Sequence, residues 1–255
     1  MARVDAAWRA ELRAIMVLAL PVVIQTTAQQ GMTVVDQIFL GHLGTAQLGA
    51  AALANAFTNL LWFFLLGFAT ALDTLGSNAF GAGDRGALIT WCVAAALLVT
   101  VLVLPVALGM AAGEWVGGAL FAQDAYTSRL MGEFCEGLIF GIWPLMWGII
   151  LTKYLQVQNI MILPSIIAVA TFCLNIGFNA VLVSSMGFRG APLATSLSRC
   201  AGCFDIATVM AGRLGAVNIA AHAAMLSVCT LTYLACPFAL ATAGAIRVGN
   251  LLPPL

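Results

Sequence analysis

The chain has 255 residues, 62% hydrophobic and 8% charged, with ten Lys and Arg balancing ten Asp and Glu and a mean hydropathy of +1.04. Soluble globular domains carry about 25% charged residues, so this composition lies outside their class. Zero net charge leaves no basic excess for a phosphate backbone, which excludes nucleic acid as a partner, and disorder fails because it needs low hydrophobicity and high net charge. The lipid bilayer is the partner that remains.

Charge-free stretches run over 14–35, 37–72, 86–113, 137–152, 154–188 and 214–246. A helix needs about 20 apolar residues to cross the hydrocarbon core, and backbone amides in lipid must be bonded within their own segment. No alternation of polar and apolar residues suggests an outer-membrane barrel. The expected fold class is therefore all-α, a polytopic integral membrane helical bundle.

Arg3, Arg9 and Arg13 precede an apolar run without a small-residue cleavage site, which reads as a first transmembrane helix over about 14–36 rather than a signal peptide. Gly41-His42-Leu43-Gly44 makes a turn into a second helix over about 46–72, and the breaker-rich Gly81–Gly86 leads to a third over about 87–111. A polar loop holding Glu114, Asp124 and Arg129 follows, then helices over about 132–154 and 161–183. After a loop at Met186–Gly190, the last clear helix is expected over about 219–243. Gly137 and Gly141 form a GxxxG that lets the fourth helix approach a neighbour closely. With the N-terminus inside, Arg3, Arg9, Arg13, Arg85 and Lys153 are cytoplasmic and Arg129 and Arg189 external, as the positive-inside bias prefers.

The decapeptide from Gly41 to Ala50 recurs in weaker form from Gly212 to Ala221, each copy following a segment with an acid, Asp36 or Asp205. The spacing suggests a duplicated helix bundle, as in many transporters. If the copies share one side of the membrane, a single crossing between 190 and 212 gives the wrong parity. That segment also holds Arg199 and Asp205, each costing about 2.5–3.5 kcal/mol at a helix centre. Both observations suggest that residues are missing near 199–203.

Gln25, Gln29, Met32 and Asp36 are spaced four, three and four apart, which puts them on one face of the first helix. A polar stripe on an apolar helix must face protein or water rather than lipid, and an enclosed carboxyl takes up a proton more readily than one in water. Asp36 is thus the main candidate for a proton or cation site, the other reading being a carboxyl hydrated near the outer interface. Asn175 and Asn179 lie one turn apart on the fifth helix, as pocket residues or as glue between helices. Asp205 is a second acid whose pairing with Arg199 could be merely neutralising. Asp73 and Asp84 read as solvated cap or loop charges, Glu133 and Glu136 as water contacts, and His42 and His222 as structural. Cys200 and Cys203 have metal-pair spacing but no second pair, so they read as structural. No nucleophile–base order, metal-ligand cluster or phosphate loop is visible, so no enzyme, metal or cofactor is expected.

The stretches Pro21–Asp36, Gly41–Gly44 with Leu48–Ala54, Ala71–Ala82, Lys153–Gln156 with Pro164, Gly190–Thr195, Phe204–Gly212 and Arg247–Asn250 together resemble the multidrug and toxic compound extrusion (MATE) family. The resemblance implies twelve helices in two six-helix lobes, of which 1–198 would be the N-terminal lobe through the start of helix six and 199–255 a remnant of the second. The inner half of helix six, the start of helix seven and everything after helix eight would be missing. It implies that Asp36 matches the family's N-lobe acid, that Thr195 joins Gln25, Gln29, Asn175 and Asn179 in an N-lobe pocket, and that Asp205 matches the second acid of a pair whose first falls on Cys200. The implied function is antiport, exporting organic cations or xenobiotics in exchange for protons or sodium. The alternative is an inactive or regulatory remnant of such a transporter.

Overall fold

The computed structural model describes residues 2–213; the helix expected at about 219–243, the second copy of the repeat and His222 lie outside the described residues. Among the described residues seven α-helices follow in order: α1 Ala2–Gly41, α2 Thr45–Gly81, α3 Arg85–Ala111, α4 Gly113–Ala119, α5 Ala125–Val157, α6 Ile162–Met186 and α7 Gly190–Arg213. No strand occurs among the described residues. The chain divides into two compact units, 1–206 and 207–255.

Among the described residues five stretches are long and apolar enough to cross a membrane, the last running from Ile162 to Thr208 through α6 and α7. The connections are abrupt. Gly44 has φ 146 and Gly83 φ 75, conformations that side chains rarely adopt, so each glycine closes a turn of two or three residues. Asp84 caps α3 by accepting the Ala87 N–H at 2.9 Å, and Asp124 caps α5 by accepting those of Tyr126 and Thr127. Asp84→Ala is expected to lower the thermal unfolding midpoint by the equivalent of about 1 kcal/mol, and Asp84→Asn to leave it nearly unchanged. Equal midpoints for the parent and the alanine variant would show that the cap does not hold α3.

The connection expected at Met186–Gly190 lies between α6 and α7. Gly187, at φ 63, and one 3-10 turn over Gly187–Arg189 reverse the chain. Side-chain pairs fix the directions. Gly31 meets Phe172, and the Ser165 hydroxyl donates to the Pro21 carbonyl at 2.6 Å, so α1 and α6 run parallel. Asn175 meets Thr195 and Gly202 approaches Thr171, so α6 and α7 run antiparallel. Gly137, Gly141 and Gly148 of α5 face Pro192, Ser196 and Cys203 of α7, so these two run parallel. The expected close approach at Gly137 and Gly141 is therefore made with α7, and Ser196 Oγ donates to the Gly137 carbonyl at 2.7 Å across it.

The apolar core lies among α2, α3 and α5, with Leu65, Leu72, Val99, Met110, Met131, Phe134, Met146 and Ile150 buried. Leucines also face outward, Leu108 being 74% exposed, as expected where lipid is the solvent. Two charge clusters tie the ends. Lys153 of α5 pairs with Asp73 of α2, which stays half exposed as expected of a solvated charge but lies within the helix, since α2 continues past it to Gly81. Glu133 of α5 binds Arg129 and Arg189 rather than water alone, joining α5 to the α6–α7 turn. α7 buries Ala191, Ala194, Thr195, Ser196, Ser198 and Ile206 within the bundle.

Candidate functional site

α1 carries a buried stripe of Gln25, Ala28, Met32 and Asp36, set by the three- and four-residue spacing that returns a helix to one face. Asp36 is 3% exposed. Both of its oxygens are held: Asn179 Nδ2 donates to Oδ1 at 2.8 Å and the Thr195 hydroxyl donates to Oδ2 at 2.5 Å. Asn175 Nδ2 donates in turn to Thr195 Oγ1 at 3.3 Å, and Asn179 Nδ2 also reaches the Asn175 carbonyl at 3.1 Å. Three helices converge on one carboxylate. The carboxylate is enclosed by side chains rather than open to its surroundings.

The remaining expected pocket residues lie one to three turns along the same face. Gln25 Oε1 accepts from Gln156 Nε2 at 3.0 Å, joining α1 to α5. Gln29 is exposed but lines a cavity of about 60 Å³ with Gln25, Met32, Pro144, Thr171 and Arg199. Asp205 stands exposed on α7, ten residues or about 15 Å along the helix axis from Thr195. No ion pair between it and Arg199 occurs among the described residues; the opposite charge that acts on Arg199 is Asp36. Cys200 and Cys203 are free thiols, and no metal-ligating cluster exists among the described residues.

Sequence reasoning missed Thr171, Gln156 and the relation of Arg199 to Asp36. A signal for Thr171 was present, since Thr171, Asn175 and Asn179 are spaced by four and share a face of α6. Gln156 and Arg199 act across 131 residues or more of chain, and no local spacing marks them.

The MatE family model matches residues 21–181. The chain belongs to the MatE family. Protein DETOXIFICATION 15 of Arabidopsis thaliana is 32% identical over 188 residues, which are 72% of this chain and 38% of the relative. An uncharacterized transporter of Schizosaccharomyces pombe is 26% identical over 299 aligned positions, covering 96% of this chain and 55% of the relative. That alignment is longer than the chain itself, so the yeast relative holds stretches without a counterpart here. Among solved structures, the eukaryotic MATE transporter AtDTX14 has the same fold with a TM-score of 0.73 at 24% identity, over 78% of this chain and 46% of that one. The MatE chain described here spans under half the length of its Arabidopsis relatives. It is a multi-pass integral membrane protein of a transporter family rather than an enzyme family.

Proposed function

We propose that the chain is the N-terminal lobe, with part of the second lobe, of an antiporter that exports organic cations or xenobiotics in exchange for protons or sodium. The observation that carries this reading is Asp36, a carboxyl enclosed in a lipid-facing bundle with its two oxygens answered by neutral donors from α6 and α7. Ionisable groups inside membrane proteins mark ion and substrate pathways, because placing them there without a role is expensive. A proton or sodium ion arriving at Asp36 cancels the charge that α6 and α7 are arranged around. That loosens α1 from them and releases a cation held by the carboxylate. Asn179 hydrogen-bonds but does not titrate, so Asp36 carries the exchange within this cluster. Asp205 is the second acid in the proposal, on the remnant side of the boundary at 198–199.

A fluorescent organic cation such as ethidium, loaded into cells expressing the chain, tests it. Expression is expected to lower accumulation, and Asp36→Asn to restore the level of cells without the protein. The long alignment with the yeast transporter favours a second reading, an internally shortened remnant without export activity. Equal accumulation in empty, parent and Asp36→Asn cells selects the remnant and overturns export.

A further inference from the structure

Arg199 lines the cavity one helical turn beyond Thr195 and stands partly buried. Its guanidinium carries five N–H donors and keeps its charge at any accessible pH. Among the described residues none of these donors makes a hydrogen bond or a close ion pair; Asp36 and Cys200 act on it only through space. Asp36 makes no close ion pair with Arg199, and its oxygens instead accept from Asn179 and Thr195. A charge-carrying donor group in a membrane helix with its donors unused calls for an acceptor.

The other polar groups around the cavity present donors too. Gln25 Oε1 is occupied by Gln156, which leaves the Gln25 N–H2 to donate. The Thr171 hydroxyl is buried, 5% exposed, lines the same cavity and has no partner. Gln29 adds an amide on the open side. No acidic residue is among the lining residues. The volume of about 60 Å³ is far below the roughly 300–1,000 Å³ of drug-sized sites.

We propose that this cavity is a binding site for a compact monovalent anion, chloride or a simple carboxylate, with Arg199 as its charged anchor and Thr171 and Gln25 as neutral donors. The site goes beyond the exchanger reading and is tested by binding alone, so the two stand or fall separately. Bound anion and ionised Asp36 share one guanidinium, and each weakens the hold of the other. Neutralising Asp36 therefore tightens anion binding.

The full chain in nanodiscs of zwitterionic lipid is titrated with chloride against gluconate, read by chloride NMR line broadening, and separately with acetate, read by saturation transfer to its methyl group. Arg199→Gln is expected to weaken binding about tenfold, the loss of a charged hydrogen-bonding anchor, while Arg199→Lys keeps part of it. Thr171→Val, a near-isosteric change that removes one hydroxyl, is expected to weaken it severalfold, and Asp36→Asn to tighten it severalfold. Binding of chloride alone identifies a halide site and of acetate alone a carboxylate site; either supports the proposal. Signals unchanged in both Arg199→Gln and Thr171→Val overturn it, and if the arginine variant does not fold, the valine variant decides.

Discussion

Asn179→Leu combined with Thr195→Val is expected to lower the stability of the lobe by about 3–6 kcal/mol, since each hydrogen bond to a charged group contributes about 1.5–3 kcal/mol. The two changes remove the two closest side-chain donors to the Asp36 oxygens, at 2.8 and 2.5 Å, from a carboxylate that is 3% exposed. The shape of the bundle is nearly preserved, so packing loss is a minor part of the effect. Adding Asp36→Leu to the pair is expected to recover most of the loss, because three apolar groups of similar shape replace a polar network as a whole. Thermal unfolding midpoints of the parent, the double and the triple variant check this. A triple variant no more stable than the double would show that the amide and the hydroxyl do not serve the carboxylate.

Gly141→Val is expected to displace α7 from α5 and to cost about 3 kcal/mol or more, beyond the usual overpacking range because backbone is involved. A Cβ at Gly141 would lie 2.7 Å from the Ser196 Cα, and one at Gly137 would lie 2.8 Å from the Pro192 ring. Ser196 adjoins Thr195, so the displacement also draws the Thr195 hydroxyl away from Asp36 and abolishes export together with stability. Gly148→Ala is the control. Its Cβ meets Cys203 at 3.7 Å, an ordinary contact, and alanine is favoured over glycine in a helix by about 0.5–1 kcal/mol. If Gly141→Val melts with the parent, the α5–α7 seam is not as close as described.

The helices were legible because a bilayer leaves so few choices: among the described residues the charge-free runs fall in helices, and their order and turns followed. The ends were less legible, for local reasons. α2 runs on to Gly81 past Asp73, which pairs with Lys153, 80 residues away, and no pattern near Asp73 announces that partner. α4 occupies Gly113–Ala119, only seven residues, inside what reads as a polar loop around Glu114. The Asp36 cluster was half legible. Spacing along α1 and α6 put the acid and the two asparagines on single faces, but their meeting with Thr195 is a property of three helices in space. Arg199 read as an awkward charge beside Asp205, because sequence neighbours are visible and helix neighbours are not.

The partners of Asp36 come late. Asn179 follows it by 143 residues and Thr195 by 159. At a synthesis rate of about 5–20 residues per second, α1 is made roughly 8–30 s before the hydroxyl that completes its carboxylate's coordination. During that interval Asp36 lacks both partners, and an ionised group in a lone membrane helix is costly, so α1 is expected to be least secure in the bilayer before α7 is made. A ribosome pause ahead of codon 195 would prolong that exposure, and the earliest degradation fragments should then end before α7.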